Sequence, residues 1–253
     1  DPDFSFVRWL PDGSGFLSAS EERGETQLLL YDRKGGNAQV LVSRGFDAVQ
    51  GVDDDGRVTA TVFASPLEVQ VLRITPQLGP AAVPDLLATG PGERSVVLAR
   101  ASGHYAVTEA TLDQPATTTV FTADGSRIGV LPSVAELPMV WPMPELLTVE
   151  HDGETFHAAV LKPRNFDAKK KYPVIDSVYG GPTTNVVSAN AMAYLRDQWL
   201  ADHGAIVVKI DNRGTLRRNP MTAMLSRYVA AELRQANEKD RLQWQQVTGP
   251  AEW

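Results

Sequence analysis

Val174-Ile-Asp-Ser-Val-Tyr-Gly-Gly-Pro182 and Ala205-Ile-Val-Val-Lys-Ile-Asp-Asn-Arg-Gly214 decide how this chain is read. Each is an apolar strand that ends in a glycine turn. Between them, Ala189 to His203 has helical character. Strand, helix, strand at this spacing predicts a βαβ unit and a parallel sheet buried on both faces.

Upstream of that unit the grammar differs. Trp9-Leu-Pro-Asp-Gly-Ser-Gly-Phe-Leu-Ser18 sets an Asp-Gly turn between two strands, a strong hairpin signal. Further strands are expected at Gln27 to Asp32, Gln39 to Ser43, Val58 to Ala64, Val69 to Ile74 and Ser95 to Ala99. Others follow at Tyr105 to Glu109, Thr117 to Thr122 and Ile128 to Leu131. Many short strands without a long amphipathic helix predict a sandwich, barrel or propeller. A loose recurrence of Asp-Gly turns favours a propeller, with about three blades of about 40 to 50 residues. Three blades do not close a ring, so this stretch reads as the tail of a larger propeller.

Trp141-Pro142-Met143-Pro144 is a stiff joint. Leu146 to Glu150 and Thr155 to Lys162 then predict a hairpin across His151-Asp152-Gly153. After the βαβ unit a helix is expected from Pro220, with Met221, Met224, Leu225, Tyr228 and Val229 on one face.

Composition narrows the function classes. The chain has 253 residues, 43% hydrophobic and 22% charged, with a net charge of -7. That balance argues against a nucleic-acid partner, because nothing would neutralise phosphates. There is no cysteine, which excludes thiol catalysis, disulfides and cysteine-ligated zinc. No apolar run approaches the roughly 18 residues of a spanning helix, so no membrane segment is expected. Asp53-Asp54-Asp55 reads as a solvated turn and Lys169-Lys170-Lys171 as a surface loop. The chain opens on Asp1-Pro2-Asp3 without a methionine, which leaves room for an upstream targeting segment.

No G-x-S-x-G nucleophile elbow occurs in these residues. Ser177 and Ser188 lack that context, and Gly13-Ser14-Gly15 is a turn. Of the histidines, His104, His151, His157 and His203, none is placed as a general base, and no pair has the i, i+4 spacing of a zinc site. No metal and no cofactor are expected.

Three stretches resemble the start of the peptidase domain of the prolyl oligopeptidase family, in its dipeptidyl peptidase IV-like branch. Pro163-Arg-Asn-Phe-Asp-Ala-Lys-Lys-Lys-Tyr-Pro173 resembles the loop into the oxyanion strand. Val178-Tyr-Gly-Gly-Pro182 resembles the oxyanion turn, and Ile210-Asp-Asn-Arg-Gly214 the strand end written D-x-R-G. Ser20-Glu-Glu-Arg-Gly24, Leu28-Leu-Leu-Tyr-Asp32 and Ala64-Ser-Pro-Leu-Glu68 resemble late blade segments. Thr215-Leu216-Arg217-Arg218 departs from the small residues that follow the arginine-glycine turn in that family.

The resemblance implies C-terminal propeller blades over residues 1–140 and a truncated α/β-hydrolase over residues 141–253. It implies a fragment of a serine exopeptidase acting on peptides, with the triad serine, aspartate and histidine beyond Trp253. Tyr179 is the implied oxyanion donor. Gly180 and Gly181 serve the backbone of the turn, and Arg213 holds a loop or lines the site. Glu21-Glu22 reads as a blade turn rather than as the glutamate pair that holds a substrate amino terminus. A homodimer of the intact enzyme stays open. So do a non-catalytic binding module and an acylaminoacyl peptidase or esterase on the same fold.

Overall fold

The computed structural model describes residues 7–20, 26–76, 84–179, 185–212 and 215. The first twelve strands form three consecutive antiparallel sheets, each a simple four-stranded meander. The first holds β1 (Val7–Trp9), β2 (Gly15–Ser20), β3 (Gln27–Asp32) and β4 (Gln39–Val42). The second holds β5 (Phe46–Val52), β6 (Val58–Ser65), β7 (Glu68–Ile74) and β8 (Asp85–Ala88). The third holds β9 (Glu93–Leu98), β10 (Tyr105–Ala110), β11 (Thr117–Phe121) and β12 (Arg127–Leu131).

The same short-range chemistry closes several hairpins. Asp12 accepts the Ser14 backbone N–H at 3.0 Å, and Gly13 takes φ +67°. Asp32 accepts from the N–H groups of Lys34 and Gly36 at 2.8 and 2.9 Å. Asp124 accepts the Ser126 N–H at 3.0 Å and the Thr122 hydroxyl. An aspartate carboxylate that caps its own turn satisfies backbone donors that would otherwise compete with the strands.

The sheets stack face to face. Leu17, Leu28 and Leu30 of the first meet Val58, Ala60, Val62 and Ile74 of the second, all of them buried. Val71 of the second sheet packs with Val96, Tyr105 and Val107 of the third. The second sheet is therefore covered on both faces, which is why β6 is buried from Val58 through Val62 without the usual alternation. Each fully buried aliphatic side chain contributes roughly 1.5–3 kcal/mol.

Two arginines stitch the second sheet to the third. Arg73 donates to the carbonyls of Ala123 and Gly103, with its guanidinium 4.6 Å above the Tyr105 ring. Arg94 donates to Glu109 at 2.6 Å and to the carbonyls of Val69, Gly90 and Thr89. These contacts reproduce the expected trio of units.

Two strands were not foreseen. β5 carries register shifts at Phe46/Ala48 and Val49/Gly51, which break the period-2 signal. β8 is a short Asp-Leu-Leu-Ala segment that pairs with β7 across another shift.

The fourth sheet has the order β13-β14-β16-β15. It comprises β13 (Glu145–His151), β14 (Glu154–Leu161), β15 (Val174–Asp176) and β16 (Ile206–Ile210). β15 and β16 are parallel, and the crossover between them contains a 3-10 turn, Ala191–Tyr194, and helix α1 (Leu195–Asp202). The expected βαβ unit is present, but its sheet is mixed, because β13, β14 and β16 pair antiparallel. It is not buried on both faces among the described residues: Val174 and Val178 are 63% and 66% exposed. The physical reason is that, among the described residues, β15 is the edge strand of this sheet, with β16 on one side alone. The helix expected from Pro220 lies outside the described residues.

This sheet sits on the β6–β7 and β10–β11 turns. Leu67 and Leu112 from those turns pack on a core of Ala159, Leu161, Val187, Tyr194, Ala201 and Val207. The Trp141 indole N–H donates to the Leu112 carbonyl at 2.6 Å, and the Ala191 N–H to the Thr111 carbonyl at 3.1 Å.

Candidate functional site

The parallel register Val174↔Ile206, Ile175↔Val207, Asp176↔Val208 brings the carboxyl ends of β15 and β16 side by side. Ser177 extends the pairing by one more hydrogen bond, its N–H to the Val208 carbonyl at 2.8 Å. Tyr179 lies two residues further on and is 44% exposed. Its carbonyl accepts the Asn212 side-chain amide at 3.0 Å. Its hydroxyl has no hydrogen-bond partner among the described residues. A phenol in that position is a neutral donor open to an incoming acceptor.

Asp211, one residue before Asn212, is 1% exposed. Its carboxylate accepts the N–H groups of Val186 at 2.6 Å and Val187 at 3.2 Å, and the Asn185 side-chain amide at 3.1 Å. Its own N–H donates to the His157 carbonyl on β14 at 3.0 Å. The two ends of the described chain around residues 180–184 are thus tied to consecutive residues of β16's exit. Gly180 and Gly181, which sequence reasoning placed in the turn, and Arg213 lie outside the described residues.

Behind this end the crossover is anchored by charge and by a buried phenol. Lys209 on β16 pairs with Asp197 on α1 at 2.6 Å, and its ammonium lies 5.3 Å from the Tyr194 ring centre. The Tyr194 hydroxyl accepts the Ser188 N–H and donates to the Ser188 carbonyl, each at 2.8 Å. Burial pushes that phenol up to about 12, so it stays a neutral clamp. The Ser188 hydroxyl reaches Glu93 on the third sheet at 3.3 Å.

The ring of His104 faces the Ser102 carbonyl, and that of His203 faces the Trp199 carbonyl at 2.7 Å. His151 stands beside Asp152 in the β13–β14 turn, and the His157 Nδ1 is buried without a partner. None of these rings bonds a serine hydroxyl among the described residues. Nor does any group of three or more His, Cys, Asp or Glu there suit a metal ion. No described helix is long and apolar enough to cross a membrane.

One feature escaped the sequence. A cavity of about 640 Å³ opens where the second, third and fourth sheets meet, bordered by Leu67, Glu68, Glu109, Leu112, Asp113 and Leu146. The Gln70 amide first, then the Gly90 N–H and the Thr89 hydroxyl, hold the Glu68 carboxyl below its usual range. Its walls come from separate turns far apart in the chain, so no local motif announces it. Glu21 and Glu22 lie outside the described residues.

No family model matches the chain. Human and mouse dipeptidyl peptidase 8 are 37% identical to it over 92 residues, which is 35% of this chain and 10% of each relative. A probable dipeptidyl-aminopeptidase B from Trichophyton verrucosum is 34% identical over 84 residues, 32% of this chain and 9% of that protein. The fold is similar to the crystal structure of a putative dipeptidyl aminopeptidase IV from Bacteroides ovatus, with a TM-score of 0.75 at 24% identity. That match covers 85% of this chain and 34% of the other. Porphyromonas gingivalis dipeptidyl peptidase 4 matches with a TM-score of 0.72 at 24% identity, over 84% of this chain and 31% of the other. The three meander sheets accordingly correspond to part of a dipeptidyl peptidase IV-type propeller region. The matches span about a tenth of the curated relatives and about a third of the solved ones. In sequence over about a third of its length and in fold over most of it, the chain is similar to a portion of dipeptidyl peptidase IV-like proteins, consistent with a fragment of the prolyl oligopeptidase type.

Proposed function

We propose that this chain is part of a serine exopeptidase of dipeptidyl peptidase IV type and supplies its oxyanion donor, Tyr179. Residues 1–140 form late propeller blades, and residues 141–253 open an α/β-hydrolase domain. The observation that carries this reading is the place of Tyr179: past the carboxyl end of a parallel strand, exposed, with a hydroxyl that has no partner among the described residues. Open α/β sheets bind ligands outside the carboxyl ends of their strands. The crossover between β15 and β16 also supports a doubly wound sheet that continues past β15's free edge.

In the intact enzyme a serine elsewhere in the protein attacks the scissile carbonyl, activated by histidine and aspartate. The carbonyl oxygen gains charge as the tetrahedral intermediate forms. The Tyr179 hydroxyl donates to that oxygen, and a backbone N–H beside the serine supplies a second bond. A neutral phenol adds no charge to the ground state, so its benefit falls on the transition state. Gly180 and Gly181 leave room for the peptide at the turn, and Arg213 fixes the loop after β16. The substrate class is peptides cleaved near the amino terminus.

The test is hydrolysis by the full-length protein. A chromogenic dipeptide with proline second and a free amino terminus should be cleaved, and an active-serine phosphonate should titrate the activity. Equal cleavage of the N-acetylated substrate would favour the acylaminoacyl peptidase alternative. No cleavage of either, with no phosphonate labelling, would favour a binding module.

A further inference from the structure

We infer that Asp211 and Asn212 form a two-residue brace whose role is to present Tyr179 to the reacting carbonyl. This rests on the oxyanion reading of Tyr179 and adds to it the residues that position that donor. The Tyr179 hydroxyl has no partner among the described residues, so its ring is not held by its own polar end. What holds the residue is backbone: the Asn212 amide on its carbonyl at 3.0 Å. The chain returns at residues 185–187, where the buried Asp211 carboxylate takes three donors at 2.6, 3.1 and 3.2 Å.

Three features make this a brace rather than an incidental contact. First, Asp211 is 1% exposed, and a buried carboxylate is costly unless its lone pairs are filled, as they are here by donors from one short segment. Second, Asp211 is itself pinned to β14 through the His157 carbonyl, so the brace is anchored in the sheet and not in a loop. Third, the two side chains divide the work: Asn212 fixes the segment leaving β15, and Asp211 fixes the segment coming back. An aspartate and an asparagine suit these tasks, one accepting only and the other able to donate. Holding a donor within a fraction of an ångström of its productive place decides how much of its hydrogen bond appears in the rate.

The experiment has two arms in the full-length protein. In hydrogen–deuterium exchange, Asp211→Ala should speed exchange over residues 185–187 by roughly tenfold or more, while β6 keeps its protection. Asp211→Asn keeps the shape and one acceptor oxygen, should give a smaller acceleration, and serves if the alanine variant does not fold. Unchanged exchange over residues 185–187 in a folded variant overturns the brace. In the kinetic arm, Asn212→Ala should lower kcat by about 10- to 100-fold with KM near wild type. The same substitution in a Tyr179→Phe background should change kcat little further. A full additional loss in that background overturns the positioning role. A wild-type kcat in Tyr179→Phe alone fells the oxyanion reading, and the exchange arm then still upholds or overturns the brace.

Discussion

Lys209 and Asp197 form an ion pair at 2.6 Å, with side-chain exposures of 13% and 5%, between the last described strand and the helix that leads into it. It locks the crossover that sets β16 beside β15. Removing one partner leaves the other charge buried and unpaired. Asp197→Ala should therefore cost about 3–5 kcal/mol, read from urea unfolding. The double variant Asp197→Leu, Lys209→Met removes both charges and should recover most of that loss. A single variant as stable as wild type would show that the pair holds nothing.

Arg94 should be among the costliest charged residues to replace in the three meander sheets. Its side chain is 2% exposed and bonds Glu109, the Val69 carbonyl of the neighbouring sheet and the Thr89 and Gly90 carbonyls of the loop between β8 and β9. Arg94→Met leaves those acceptors unsatisfied and should cost about 3 kcal/mol or more. Arg100, 3.5 Å from Asp54 with both side chains mostly exposed, gives the contrast. Arg100→Ala should cost less than about 1 kcal/mol. Equal effects in unfolding titrations would contradict the assignment of Arg94 as an inter-sheet tie.

Gly45 separates the first sheet from the second at φ +66°, and a Cβ there would press into the Phe63 carbonyl. Gly45→Ala should destabilise by more than about 1 kcal/mol, since both the backbone and the space oppose it. Gly129 on β12 has open space around it and no positive φ. Gly129→Ala should be neutral or stabilising by up to about 1 kcal/mol. Melting temperatures of the two variants moving together would refute this.

Stability should fall at both pH extremes for identifiable reasons. The Thr122 hydroxyl first, then the Ser126 N–H, hold the Asp124 carboxyl down to about 2. A folded-state value below the ordinary 3.8 means stabilisation that is present above 3.8 and lost as pH falls through about 2. Asp12 and Asp32 are shifted the same way by their own turn donors. Tyr194 is the alkaline counterpart. Burial raises it from 10.0 to about 12, so its contribution is present below 10.0 and lost as pH rises through about 12. Tyr194→Phe should flatten the alkaline limb of a melting-temperature profile, and an unchanged limb would place the cause elsewhere.

Much of this was legible in the sequence because the signals were local. The Asp-Gly turns at Asp12 and Asp124 gave away their hairpins, since the capping carboxylate lies within two residues of the amide it serves. Val174 to Tyr179 and Ile206 to Ile210 were legible as a parallel pair because each strand ends in a recognisable turn. The mixed character of that sheet was not legible, as strand order depends on contacts between segments more than forty positions apart. In the sequence Asp211 is simply part of a strand end. Its work is visible only when Asn185, Val186 and Val187 come back to it in space. The carboxylate-bordered cavity was hidden for the same reason.

The most direct measurement of the central claim is the steady-state kinetics of Tyr179→Phe in the full-length protein. Phenylalanine keeps the ring at the end of β15 and deletes the hydroxyl. The variant should show a kcat lowered about 10²- to 10³-fold, with KM and melting temperature close to wild type. A wild-type kcat, or a variant whose only defect is a lower melting temperature, would contradict it.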